Sequence, residues 1–216
     1  MIKTVIFDLD GTLIDTEKYY REFWPKAFAH FGIHMTDEEA LSMRSLGTPY
    51  SREHIHKLYG DHVDVEAVRA KRRELMETYL DEVGVEKKPG AVEILDFLRE
   101  SGFRTAIATA TDPVRAKKHL SKLGLYDHFD AVISATMVTR GKPAPDVYLY
   151  ACEQLGEKPE DCFAVEDSPN GAKSAIAAGC KVIFVPDQTP ADEDLIPHLY
   201  AVADTLLDIK TIITNI

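Results

Sequence analysis

Cysteine is scarce in this sequence, and no two cysteines are closely paired: Cys152, Cys162 and Cys180 are the three among 216 residues. An odd set without a C-x-x-C spacing excludes a disulfide framework and suits a reducing cytoplasm, which is the expected location. Basic residues form no dominant block, and the formal net charge is -11. That balance argues against nucleic acid or an anionic membrane surface as the main partner. It leaves room for a phosphorylated substrate, because a metal ion and a few local cations can reverse the potential inside one pocket. No apolar run approaches the length of a membrane span. Met1-Ile2-Lys3 leads directly into a strand-like segment, so no signal peptide is expected. Repeats and low-complexity tracts are absent. Hydrophobic residues make up 45% and charged residues 28%, the profile of a soluble globular chain. The length suits one ordinary domain plus a smaller one, with a monomer as the expectation.

Short, continuous apolar runs recur, several ending in a polar or acidic residue. They are Thr4-Val5-Ile6-Phe7 before Asp8, Thr105 to Ala108 before Thr109, and Ala131-Val132-Ile133 before Ser134. Phe163-Ala164-Val165 before Glu166 and Val182 to Val185 before Pro186 complete the set. Continuous rather than alternating apolarity marks strands buried on both faces of a parallel sheet. Helical patterns lie between them, Ala91 to Glu100 and Pro113 to Leu123 among them. Strands alternating with helices predict a doubly wound α/β fold, a Rossmann-like parallel sheet.

Between about Asp15 and Glu86 no strand pattern occurs. Tyr19, Phe23, Ala27, Phe28 and Phe31 recur at helical spacing with Trp24 beside them, and read as core. Thr36 and Glu39 have capping-box spacing. Val65 to Leu80 reads as an amphipathic helix with Asp64 as its cap. The expected division is therefore 1–14 and 87–216 as an α/β core and 15–86 as an inserted helical cap domain. The Pro89-Gly90 pair marks the return to the sheet.

Three segments carry chemistry. In Phe7-Asp8-Leu9-Asp10-Gly11-Thr12, two carboxylates stand at the carboxyl end of the first strand, where open α/β sheets bind ligands. In Val165-Glu166-Asp167-Ser168-Pro169-Asn170-Gly171, Ser168 and Pro169 read as the N-cap and first residue of a helix that Gly179 closes. That helix start leaves the two preceding acids unexplained. Should Asp8, Asp10, Glu166 and Asp167 converge, each pair at about 5 Å would repel by on the order of 3 kcal/mol at an effective dielectric near 20. Such a cluster needs a cation, and an all-oxygen ligand set suits Mg2+. The third segment, Gly141-Lys142-Pro143-Ala144-Pro145-Asp146, holds a lysine poorly placed for a helix surface. With Thr109 at a strand end it offers a cation and a hydroxyl for phosphate oxygens.

The four stretches Asp8-Leu9-Asp10-Gly11, Thr109, Lys142-Pro143 and Glu166-Asp167 resemble, in order and spacing, the four motifs of the haloacid dehalogenase-like superfamily. The resemblance covers nearly the whole chain. Gly-Lys-Pro-Ala-Pro-Asp and Glu-Asp-Ser-Pro-Asn-Gly make it most similar to the beta-phosphoglucomutase-like phosphatases. The resemblance implies that Asp8 attacks phosphorus and forms an aspartyl-phosphate, while Asp10 protonates the leaving oxygen and then activates water. It implies Mg2+ held by the Asp8 side chain, the Asp10 backbone carbonyl and Asp167, with Glu166 nearby or through water, and with Thr109, Ala110 and Lys142 around the phosphoryl group. The substrate would be a small phosphorylated metabolite.

A phosphatase and a sugar phosphomutase share this machinery. Ser51-Arg52-Glu53 looks like the mutase substrate loop, and Arg52 or Arg44 could bind a phosphate, although each alone reads as an exposed arginine at a helix start. Tyr20 stands where similar mutases carry histidine. Ala110-Thr111-Asp112-Pro113 lacks their Ser-Lys-Asn set, and Asp112 would repel a distal phosphate. The phosphatase is the favoured reading, with the mutase as the alternative and a non-catalytic binding module less favoured still. Lys71-Arg72-Arg73 reads as a solvated helix face, with one member a candidate to reach substrate when the cap closes. Glu53-His54-Ile55-His56 with His62 lacks metal-ligand spacing.

Overall fold

The structure is a computed structural model and describes residues 2–214. Six parallel strands form one sheet in the order β3-β2-β1-β4-β5-β6. The strands are β1 (Thr4–Phe7), β2 (Arg104–Thr109), β3 (Ala131–Ser134), β4 (Cys162–Glu166), β5 (Lys181–Phe184) and β6 (Ala201–Val202). β6, two residues long, has no counterpart in the apolar runs of the sequence. Side chains alternate between the faces: Val5 and Phe7 enter one buried cluster, and Ile6 enters the other with Ala106 and Ala108. Both faces are therefore covered, which explains the unbroken apolarity of the central strands. Helices α5 (Ala91–Glu100), α6 (Pro113–Lys122) and α9 (Asp208–Thr214) contribute to the first cluster, and α7 (Asp146–Leu155) and α8 (Pro169–Ala178) to the second.

The order of strands reverses at β1, which pairs with β2 on one side and β4 on the other, Phe7 lying opposite both Ile107 and Val165. A crevice opens at such a reversal, outside the carboxyl ends of the strands. The segments after β1 and β4 therefore lie side by side, although more than a hundred residues separate them in sequence.

Among the described residues the chain between Ile14 and Lys87 forms helices only: α1 (Glu17–His30), α2 (Asp37–Ser42), α3 (Tyr50–Tyr59) and α4 (Val65–Val83). Thr36 and Glu39 form the reciprocal capping box that their spacing predicts. Asp64 caps α4 by accepting from Ala67 N–H at 3.0 Å. Trp24, Phe28, Ile55 and Val68 pack into one apolar cluster, and Phe23, Met76 and Leu80 into another. Phe31 lies outside both; it follows the end of α1 and is exposed. Burial of these side chains at roughly 1.5–3 kcal/mol each holds the helices together.

Candidate active site

Two strand ends and one loop build the site. Asp8 extends β1 by one hydrogen bond, its N–H donating to the Val165 carbonyl at 2.9 Å. Gly11 then turns the chain with φ +86, and a Cβ there would come within 2.4 Å of Asp167 Oδ2 and 2.7 Å of Glu17 Cγ. Glycine is required both for the backbone angle and for the space. At the end of β4, Ser168 accepts from Gly171 N–H at 3.1 Å and opens α8, with Pro169 at its first position and Gly179 at its end. A Cβ on Gly171 would lie 2.0 Å from Glu166 Oε2, so helix and acid can adjoin only through glycine.

Lys142 is fully buried and donates to Asp8 Oδ1 at 2.6 Å and to Glu166 Oε1 at 2.5 Å. Tyr148 on α7 donates to the same Glu166 oxygen at 2.6 Å. Asp10 faces hydroxyls: Thr16 donates to Oδ1 at 2.6 Å, Thr111 to Oδ2 at 2.6 Å, and Thr109 to Oδ2 at a looser 3.4 Å. Asp167 accepts from Thr12 at 2.9 Å through Oδ1 and from Arg44 at 2.8 Å through Oδ2.

Five buried carboxylates, Asp8, Asp10, Glu17, Glu166 and Asp167, thus share the site with two buried cations, Lys142 and Arg44. Burial holds Asp8 well above the usual carboxylate range, and Glu166, Asp167 and Asp10 push it further against the pull of Lys142. Burial likewise raises Asp167 to about 6, opposed by Arg44 and reinforced by Glu166. Glu17 is raised by burial and by Asp167. Lys142 is held above its ordinary value by Asp8 and Glu166, which outweigh its burial. The acids therefore resist joint ionisation, as like charges in a low-dielectric site must.

Asp8, Glu166 and Asp167 each place one carboxylate oxygen within 4.8 Å of the others. Asp8 Oδ2 is buried without a hydrogen-bond partner. An orphaned anionic oxygen in an acid-rich pocket suits a hard divalent cation. No other group of three His, Cys, Asp or Glu side chains among the described residues comes this close together, the histidines of α3 included.

A cavity of about 330 Å³ opens above these groups, lined at one end by Asp8, Asp10, Ala110 and Thr111 and elsewhere by helices α1 and α4. Thr109 and Lys142 lie beneath it, fully buried. Arg52 does not line it; the side chain is exposed and pairs with Glu66 at 2.7 Å. Arg44, expected to be exposed at a helix start, is instead buried just beyond α2 and donates to both the carbonyl and carboxylate of Asp167. The turn after α2 rests on the loop after β4, and Asn170 holds it by donating to the Arg44 carbonyl at 2.9 Å. Arg72 also departs from the solvated-face reading: packing of α1 on α4 buries it over the rings of Tyr20 and Trp24. Asp112 caps α6 and pairs with Arg115 at 2.5 Å, so its charge is engaged locally.

Backbone meets backbone where the loop after α2 reaches the lysine. Gly47 N–H donates to the Lys142 carbonyl at 2.9 Å and Gly141 N–H to the Thr48 carbonyl at 2.8 Å. A Cβ on Gly47 would fall 2.6 Å from Gly141 Cα.

The functional contacts missing from the sequence reading are Thr16, Thr111, Glu17 and Tyr148. Thr111 had a signal, since it follows Thr109 by two residues at the same strand end; the others had none beyond composition.

A profile described as haloacid dehalogenase-like hydrolase matches residues 2–179. The phosphorylated carbohydrates phosphatase of Thermotoga maritima is 33% identical over 193 residues, 85% of this chain and 84% of that protein. Hexitol phosphatase A of Escherichia coli is 34% identical over 204 residues, 91% of this chain and 90% of that one. A beta-phosphoglucomutase structure from Clostridium difficile superposes with TM-score 0.83 at 22% identity, covering 100% of this chain and 98% of its own, and shares the fold. The chain belongs to the haloacid dehalogenase-like hydrolases and is an enzyme of that family.

Proposed function

We propose that this enzyme is a cytoplasmic Mg2+-dependent phosphatase that hydrolyses a small phosphorylated metabolite, a sugar phosphate, through an aspartyl-phosphate on Asp8. The observation that carries it is the meeting of Asp8 with Glu166 and Asp167 beside the buried Lys142, with the Asp10 carboxylate held by Thr16 and Thr111. Two phosphatases of phosphorylated carbohydrates or hexitols, by their names, are among its relatives.

Asp8 attacks phosphorus, the ester P–O bond breaks, and the leaving oxygen takes the proton of Asp10. Asp10 then removes a proton from water, which attacks the acyl phosphate, releases inorganic phosphate and restores Asp8. Thr16 and Thr111 fix the Asp10 carboxylate in orientation. A carboxylate approaching a phosphate dianion meets repulsion, and Lys142 at Asp8 offsets part of it. Thr109, whose hydroxyl points to Asp10, and Ala110 border the phosphoryl position. Mg2+ would be held by Asp8, Asp167, Glu166 and the Asp10 carbonyl, and supplies charge neutralisation for the acids and the phosphoryl oxygens. Residues 15–86 act as the cap domain over the core of 1–14 and 87–216, with Arg52 meeting substrate when the cap rearranges.

Tyr20 and Asp112 favour hydrolysis over the mutase reaction. Tyr20 hydrogen-bonds Thr111 at 3.1 Å at the position of the mutase histidine, and Asp112 binds Arg115 rather than offering donors to a distal phosphate. Incubation with beta-glucose 1-phosphate and trace glucose 1,6-bisphosphate tests the choice. Free phosphate as the product is expected; efficient formation of glucose 6-phosphate would reverse it.

A further inference from the structure

The sequence contains ten arginines. Seven have a carboxylate within 4.0 Å: Arg21, Arg44, Arg52, Arg99, Arg104, Arg115 and Arg140. The three without one among the described residues are Arg69, Arg72 and Arg73. All three are on α4 and all three line the cavity. Their spacing of three and four residues sets them on one helix face. Chance would scatter unpaired arginines over the exposed surface; here they share one wall.

Arg72 is the decisive member. It is only 9% exposed, its Nε has no partner, and no hydrogen bond or ion pair engages its guanidinium among the described residues. The group lies over the Tyr20 ring at 4.7 Å and the Trp24 ring at 4.5 Å. The two rings hold the guanidinium in place and leave its N–H donors unused, an arrangement open to a forked contact with an oxyanion. Burial pushes Arg72 down to about 10; Tyr20 opposes the shift, while Arg115, Arg69 and Arg73 add to it. Arg69 is lowered by burial too, with Glu66 opposing. Arg69 donates to Thr48 Oγ1 at 2.8 Å, and Glu66, which lines the same cavity, is occupied by Arg52. A buried charge without a partner is costly, so this wall is short of an anion.

We infer that Arg69, Arg72 and Arg73 form a second anion subsite in the cavity. The preferred substrate is accordingly a small phosphate ester with another anionic group, carboxylate or phosphate, away from the phosphoryl group transferred at Asp8. The inference rests on the phosphatase reading for the role of Asp8, but the subsite can be measured without turnover.

Glucose 6-phosphate, 6-phosphogluconate and glucose 1,6-bisphosphate serve as probes with no second anion, a carboxylate and a phosphate. At least one of the latter two should exceed glucose 6-phosphate in kcat/KM by about tenfold or more, as expected of a charge-assisted contact. Whichever does so identifies the anion. Arg72→Met, which keeps an apolar body against the two rings, should shrink that advantage about tenfold, and Arg73→Gln, at an exposed position, about threefold. Calorimetric binding to the Asp8→Asn protein, alone and combined with each arginine substitution, gives the same comparison with chemistry removed. Failure of the wild type to hydrolyse any ester would sink the phosphatase reading while the calorimetry still judged the subsite. If neither probe with a second anionic group binds better than glucose 6-phosphate, or if Arg72→Met and Arg73→Gln weaken all three probes equally, the subsite does not exist. Should Arg72→Met fail to fold, Arg73→Gln alone decides.

Discussion

The floor and the α4 wall of the cavity are opposite halves of an electrostatic mismatch. On the floor, five buried carboxylates face two cations, and hydroxyls of Thr12, Thr16 and Thr111 donate to Asp167 and Asp10, while Asp8 Oδ2 has no partner. On the wall, Arg69, Arg72 and Arg73 form no ion pair among the described residues, and the rings of Tyr20 and Trp24 hold Arg72 where hydroxyls hold the acids below. Folding alone does not balance either set. Each lacks something of the opposite sign, which the proposed Mg2+ below and the inferred anionic group above would supply. A ligand carrying phosphate near the metal and an anion near α4 would satisfy both at once.

Removing the floor's central acid should give the largest effect. Asp8→Asn is expected to lower phosphate release from an aryl phosphate at least a thousandfold in saturating Mg2+. Chelation should abolish turnover as well, with recovery on adding Mg2+; activity surviving in Asp8→Asn would remove the nucleophile. Lys142→Met comes next. It leaves Asp8 and Glu166 buried without their shared cation, at a cost of about 3–5 kcal/mol in urea unfolding, whereas a loss below about 1 kcal/mol would mean the pair is dispensable to folding. Asp64→Ala should cost about 1 kcal/mol by uncapping α4. It should reduce discrimination between esters with and without a second anionic group more than aryl phosphate turnover; a parallel fall in both would deny that the wall works separately from the floor.

The smallest effect is in pH. Asp167 is raised from the model-peptide value of 3.8 to about 6 in the fold. The folded state then holds a proton that the unfolded chain has released, so this group's stabilisation is complete below about 4 and is lost as pH rises through 6. With chelator present, Tm should drop by a few degrees between pH 5 and pH 7, and Mg2+ should flatten the slope. An unchanged slope with Mg2+ would place the ion elsewhere.

Features fixed by neighbours in sequence were legible in advance. Asp64, Thr36 with Glu39, and Ser168-Pro169 announce helix starts because a cap and its amide lie three residues apart. The central strands were legible because burial on both faces leaves no polar alternation. The convergence of Asp8 with Glu166 and Asp167 followed from one rule about where parallel sheets bind ligands. What stayed hidden depends on packing between distant segments. Arg44 reaches Asp167 across 123 positions, and Tyr20 meets Thr111 across 91. Arg72 reads as surface until α1 covers it, since a basic triplet in sequence does not tell which face of α4 the first helix occupies. Tyr148 on α7 resembles any buried aromatic until its hydroxyl is seen on Glu166.

The pairing of Gly47 with Gly141 has a mechanical implication. Two main chains touch there with only hydrogen atoms between them, one from the helical insertion and one adjoining Lys142. A single methyl at either position acts as a shim, pushing the loop after α2 away from the segment that carries Lys142. The chain thus has a natural clearance gauge, and its tolerance is narrower than one carbon atom.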